Sequence, residues 1–412
     1  MSFKINNYTK SREMFERAEK VIPSGVYGHL GPAEGCFIPV SAFPLFGDRA
    51  QGSYFWDVDG NKFIDYMCAY GPNVLGYNDP DVDAAALEQA KKCNCTTSPS
   101  YKAVEFAELL VDTVNCADWA FFAKNGNDVT TAAIMTARAH THRKKIIFIN
   151  GFYHGISPWT QKVDYPGVIE EDVANNIYID WNDIPALERV IAENEGEIAA
   201  FISTPYLHGN FFDNQLPADG YWQKVRELCT KNGIVLIVDD VRAGFRLDIA
   251  GSDHFYGFEA DLICFCKALA NGWNVSALCG KEFLKSSISS LSYTGSYWLS
   301  AIPFAAGIAC INKMKKLNTP AIFREKGLKV GEGLKAAAAN NGFHLVVSGE
   351  PSLFYLRLAD DDSLMLHQEW VAEMVKRGIF ITSHHNHFLN ASLTDEDIAC
   401  LLYTSDAADD LT

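Results

Sequence analysis

Two residues invite a chemical reading first, each at the end of a short apolar run. Lys267 follows Leu262–Cys266 (LICFC) and leads into the small-residue stretch Ala268–Leu269–Ala270–Asn271–Gly272. A lysine so placed is partly desolvated, which penalises the ammonium and favours a nucleophilic amine. Read alone, a lysine snorkelling out of a strand end is the ordinary explanation. Asp239 closes Ile234–Val238 (IVLIV), a run with no other polar group. A buried carboxylate needs a cationic partner. A protonated pyridine nitrogen is such a partner, and the pairing turns a heteroaromatic ring into an electron sink. Alone, a helix-capping or core-satisfied aspartate explains Asp239. Together, at the ends of consecutive runs, an amine and a carboxylate that could bracket one ring are hard to ascribe to accident.

A ring cofactor carrying a phosphate needs donors. Lys124–Asn125–Gly126–Asn127–Asp128 opens a helical pattern, whose free N–H groups and dipole would bind a dianion. Gly126 lets the backbone approach closely, although a glycine turn before a helix is common. Tyr153, in Gly151–Phe152–Tyr153–His154–Gly155, is placed to stack on a ring, with a core aromatic as the plainer alternative.

The elements that must position these residues form a repeating pattern. Ile146–Ile149 runs into Asn150–Gly151, Ala199–Ile202 into Ser203–Thr204–Pro205, and the two runs above end in Asp239 and Lys267. Short, continuous apolar runs rich in Ile and Val suit strands buried on both faces of a parallel sheet. Helical stretches such as Asn127–His142 and Tyr221–Lys231 alternate with them. In open parallel α/β sheets, ligands sit beyond the carboxyl ends of the strands. Tyr153, Thr204, Asp239 and Lys267 all emerge there.

The ends of the chain read differently. Residues 10–20 suggest a helix, and 50–66 a hairpin turning at Asp59–Gly60. The expected organisation is a large central α/β domain over 66–309, with a smaller α+β domain from 1–65 and 310–400. Thr394–Asp397 resembles the cap of a helix starting near Ile398, but the acidic stretch 401–412 has poor helical periodicity and reads as disordered or artefactual.

The 412 residues are 48% hydrophobic, enough for a sizeable core without disulfides or metals, and the formal charge is −16. That charge disfavours nucleic acid and anionic membrane as partners. The N-terminus MSFKINNYTKSREMFERAEKVIPSG lacks an apolar stretch of signal-peptide length. No apolar run reaches the ~18 residues of a spanning helix. With eleven cysteines, free thiols in a cytoplasmic protein are expected. Cys93–Asn94–Cys95 and Cys264–Phe265–Cys266 lack a second matching pair, so no zinc site is expected. His140, His142 and the group His384–His385–Asn386–His387 lack helical metal-ligand spacing and read as surface or loop histidines.

The stretches YFWDVDGNKFIDYMCAYGPNVLGYNDPDV, KNGNDVTTAAIMTAR, GFYHG, VDDVRAGFRL, DLICFCKALANG and TGSYWLSAIPFAAG occur in this order. On them the chain, from about residue 10 to about 400, resembles the class III pyridoxal-phosphate aminotransferases, especially the branch containing glutamate-1-semialdehyde aminomutase. The resemblance implies fold type I, a homodimer with active sites at the interface, and pyridoxal 5'-phosphate as cofactor. It implies Lys267 as the Schiff-base lysine, Asp239 on the pyridine nitrogen, Tyr153 stacked on the ring, and Gly126–Asn127 as the phosphate loop. Val241 would pack on the other ring face. Ser296 would reach the phosphate of the neighbouring subunit, with Thr294 as the alternative.

Some positions depart from the family. Thr204 stands where a glutamate usually precedes proline, and Asp239–Asp240 replaces an Asp–Glu pair. The segment Gly25–Gly31 offers no arginine for a substrate carboxylate, and the run after the lysine is altered to ALANGW. The expected activity is transfer of an amino group between a small amine donor and a carbonyl acceptor. An intramolecular aminomutase and a catalytically idle cofactor-binding protein are the alternatives.

Overall fold

The computed structural model describes residues 5–26 and 42–408, so Tyr27–Gly31 of the arginine-free segment and residues 409–412 of the tail lie outside the described residues. The chain divides into two compact units, one from Met1–Asp79, Gly209–Asn214 and Ala321–Thr412, the other from Pro80–His208 and Gln215–Pro320.

Strands β1 (Gly47–Gln51), β2 (Tyr54–Asp57) and β3 (Lys62–Asp65) come first. In the second unit follow β4 (Trp119–Ala123), β5 (Lys145–Ile149), β6 (Asn176–Ile179) and β7 (Ile198–Ser203). β8 (Val235–Asp239), β9 (Leu262–Phe265) and β10 (Ser276–Gly280) complete that unit's sheet. The terminal unit ends with β11 (Leu345–Glu350), β12 (Leu353–Leu358), β13 (Ile379–Phe380) and β14 (His387–Phe388).

The seven-stranded sheet has the order β4-β10-β9-β8-β7-β5-β6. Pairings from β9 to β6 are parallel, and β10 lies antiparallel between β4 and β9. The apolar runs read from the sequence are β5, β7, β8 and β9, and every residue of β7, β8 and β9 is buried. The helix Gly126–Thr141 lays Val129, Ala133 and Ala137 against this sheet, in one core with Ile146, Ile202 and Ile237. Alanines at helical spacing let the helix lie close to the strands.

In the terminal unit β1-β2-β3-β13 form one sheet and β11-β12-β14 another. The β2–β3 hairpin turns where expected. Gly60 takes the left-handed φ of 83° and Asp57 Oδ1 accepts from Asn61 N at 2.8 Å. Phe55, Phe63 and Phe380 pack as stacked and edge-on rings over this sheet.

Two expectations need correction. His384, His385 and His387 are buried, exposed by only 5%, 5% and 0%. The two-residue strand β14 pairs with β12, and His387 Nε2 accepts from Thr382 N at 3.2 Å. His140 and His142 are exposed, as expected. The terminal helix begins at Asp395 and runs through Ala408, so the stretch 401–408 is ordered helix. Its start is a capping box in which Asp397 N donates to Thr394 Oγ1 and Asp397 Oδ2 accepts from Thr394 N.

Candidate active site

β8 and β9 are neighbours in register, Asp239 opposite Cys264, and they deliver Asp239 and Lys267 to the same end of the sheet. Asp239 is 4% exposed. Its Oδ2 lies 2.7 Å from His154 Nδ1 and its Oδ1 accepts from Val241 N at 3.2 Å. His154 is buried too, and its Nε2 makes no hydrogen bond. The carboxylate is therefore fixed by an imidazole and a backbone amide. A positive charge arriving beside it meets a preoriented anion.

Lys267 starts a short 3-10 turn with φ of 35°, a left-handed conformation unusual for a residue with a β-carbon. Such local strain is found where function dictates the side-chain direction. Burial, and next the charge of Arg242, pull its ammonium from 10.5 down to about 7, with Asp239 opposing. A substantial share of the side chain is thus unprotonated amine near neutral pH.

Gly126 opens its helix against Val241, whose Cγ1 lies only 2.9 Å from where a β-carbon on Gly126 would stand. Asp128 Oδ2 accepts from Asn125 N at 2.8 Å and Lys124 N at 3.1 Å, capping the helix. First-turn amides have no acceptor within a helix, so this end presents donors where Val241 packs. The Asn127 side chain ties down a neighbouring loop. Its Oδ1 accepts from Ile156 N (2.7 Å) and Ser157 N (2.9 Å), holding the loop that carries Tyr153 and His154. Gly155 sits in that loop at φ 124°, and a β-carbon there would stand 2.4 Å from Asn127 Oδ1.

Tyr153 is 60% exposed, so its ring is not core. Desolvation, then the nearby charge of Asp239, push its phenol upward while Arg242 pulls it down. Ser296 and Thr294 are exposed, and Ser296 lines a cavity of about 500 Å³ with Lys124, Asn125 and Asp128. Lys267, Asp239, Val241, Gly126 and Tyr153 thus gather at one end of the sheet, while the exposed loop of Ser296 borders the residues that flank Gly126.

The sequence reading assigned no role to His154 or Arg242, although both stand in the stretches quoted above. Arg242 Nη1 donates to the His208 carbonyl at 2.7 Å and lies 3.4 Å from His208 Nδ1. Burial lowers Arg242 to about 10, and burial with the Arg242 charge keeps His208 neutral. Thr204 Oγ1 donates to the Tyr206 carbonyl at 2.8 Å. Asp240 accepts from Ser252 N (2.9 Å) and Ser252 Oγ (2.6 Å), and burial raises its carboxyl to about 7.

This arrangement fits pyridoxal phosphate. It offers an amine with a depressed ammonium for the aldehyde, a fixed buried carboxylate for the pyridine nitrogen, and a side-chain-free helix end for the phosphate. Comparison with known proteins agrees. Residues 38–396 match the family model described as aminotransferase class-III. Aminopentol aminotransferase of Sphingopyxis macrogoltabida is 38% identical over 402 residues, covering 98% of this chain and 94% of the relative. Glutamate-1-semialdehyde 2,1-aminomutase of Desulforamulus reducens is 31% identical, with 95% of each covered. The solved pyridoxal-phosphate internal aldimine form of the FumI protein from Sphingopyxis sp. MTA144 superposes with a TM-score of 0.94 at 37% identity, covering 98% of this chain and 96% of that one. The chain is a member of the class III aminotransferases, enzymes of fold type I that work with pyridoxal phosphate.

Proposed function

We propose that this aminotransferase takes the amino group from an amine whose amino carbon bears no carboxylate, and passes it to a 2-oxo acid. The 38% identity to an aminopentol aminotransferase, over nearly the whole of both chains, supports a hydroxylated amine donor. The absence of arginine from Gly25–Gly31 agrees, since a donor without a carboxylate needs no such reader there.

The observation that carries the reading is the buried Asp239–His154 pair on the strand beside the one that delivers Lys267. Bound there, pyridoxal phosphate supplies an aldehyde carbon for the donor nitrogen and a ring that accepts electrons as the donor's C–H bond breaks. Asp239 holds a proton at the pyridine nitrogen, and His154 holds Asp239. Lys267 would hold the aldehyde, and its amine, when free, would take the proton from the donor's carbon. Tyr153 and Val241 would flank the ring, and the amides of Gly126 and Asn127 would receive the phosphate. The same reading takes the enzyme as a cytoplasmic homodimer in which Ser296 of each chain reaches the partner's phosphate.

Lys267→Ala tests it. The variant should lose both the visible absorbance of lysine-bound cofactor and amino transfer to pyruvate or 2-oxoglutarate from every amine screened. An unchanged spectrum would refute the lysine assignment. Turnover by wild type with no acceptor added would favour an intramolecular aminomutase instead.

A further inference from the structure

One positive charge at the site has no role in the chemistry so far. Arg242 lies on the turn after β8, and its bonds to His208 tie that turn to the segment leaving β7. β8, whose turn carries Arg242, neighbours β9, the strand that delivers Lys267, and the His208 anchor lies on its β7 side. Its charge is felt by Lys267 and Tyr153, and it feels that of Asp239. Arg246, whose charge also reaches Lys267, is wholly buried, whereas Arg242 keeps partial exposure. His208 is buried and neutral, so it anchors the guanidinium without competing for an anion.

A 2-oxo acid reacts at the carbon bonded directly to its carboxylate. With that carbon beside the Lys267 amine, the carboxylate lies one bond further on, and it needs a cation close by. A guanidinium suits the task, because its planar fork matches the two carboxylate oxygens and its charge does not titrate away. We propose that Arg242 reads the carboxylate of the oxo-acid acceptor, held in position by His208. The assignment rests on the aminotransferase reading above. It supplies from the β8 turn a charge that Gly25–Gly31 lacks.

Amino transfer from the amine-loaded enzyme is measured separately to pyruvate and to propanal, which has no carboxylate. Arg242→Gln should lower the ratio of kcat/KM for pyruvate over propanal by roughly 100-fold. Arg242→Lys should lower it less, since it keeps the charge and loses the fork. An unchanged ratio, whether both acceptors slow together or neither does, overturns the assignment. Wild-type protein provides a check free of any folding defect. Propanoate should compete with pyruvate and propanamide should not, and equal inhibition by the two also overturns it. Failure of pyruvate and propanal alike on wild type would overturn the aminotransferase reading, and this assignment with it.

Discussion

Replacing Gly126 by alanine should weaken cofactor binding along with the local packing of the fold. A β-carbon at that position would stand 2.9 Å from Val241 Cγ1 and 3.1 Å from Cγ2. Val241 is short and β-branched, so no flexible chain end can swing away, and the turn that carries it must move. Overpacking of this kind costs about 1–3 kcal/mol. Against it stands the better helix propensity of alanine, at most about 1 kcal/mol in a helix interior and less at the first turn. The clash wins by about 1–2 kcal/mol. Val241 and the first-turn amides are both assigned to the cofactor, so the displacement falls on binding and weakens it roughly 5- to 30-fold. The assay is titration of cofactor-free protein with pyridoxal phosphate, read by visible absorbance, for Gly126→Ala, Val241→Ala and the double variant. Removing the two Cγ atoms leaves the new β-carbon nothing to strike, so the double variant should recover most of what Gly126→Ala loses. Strictly additive losses would show that the Gly126–Val241 contact does not govern the site.

Three further predictions concern pH. In cofactor-free protein, competitive acylation followed by mass spectrometry should give Lys267 a midpoint near 7, against 10.5 for an ordinary lysine. A midpoint in the ordinary range would contradict the proposed burial. The folded amine releases its proton at about 7 and the unfolded one at 10.5, so the unfolded state binds more protons in between. The stability contribution of Lys267 is full above the upper value and lost as pH falls through the lower. The stability advantage of Lys267→Met should therefore shrink as pH rises across that window. Asp240 has the opposite sign, because its folded carboxyl titrates at about 7 and its unfolded one at 3.8. Its contribution is full below 3.8 and lost as pH rises through about 7. Asp240→Asn should flatten the fall in urea midpoint over that range, and an unaltered slope would count against the burial argument.

The residues most readable from sequence were those delivered by strands buried on both faces. LICFC and IVLIV are continuous apolar runs, so the polar residue closing each run stood out, and parallel topology sent both to one end. β10 was harder to see. Its sequence SALCG contains no β-branched residue, and it is a strand because β4 and β9 pair with it on both sides. The role of His154 was invisible for a different reason. Its partner Asp239 lies on another strand of the sheet, and no local spacing encodes a contact between distant segments. The same holds for Arg242 on His208, and for His387, whose burial follows from a two-residue strand too short to show a period.

Thr204 and Asp240 were the grounds for an idle protein, since both depart from the family beside the ring. Their geometry gives each a scaffolding role. The Thr204 hydroxyl is spent on the Tyr206 carbonyl, within the loop that leads to His208. Asp240, one carbon shorter than glutamate, is met by Ser252, whose amide and hydroxyl each bond one of its oxygens. These substitutions change what holds the two turns, and they leave Asp239 with His154 and Lys267 with its depressed ammonium. On the proposed assignment, the groups that would draw electrons into the ring are therefore kept. The group that would recognise charge stands elsewhere. The segment Gly25–Gly31 carries no arginine, and Arg242 stands on the turn after β8, bonded to His208. On the assignment proposed above, a cation anchored at that turn suits an acceptor whose carboxylate adjoins its carbonyl, and leaves the longer donor to be distinguished by contacts other than charge.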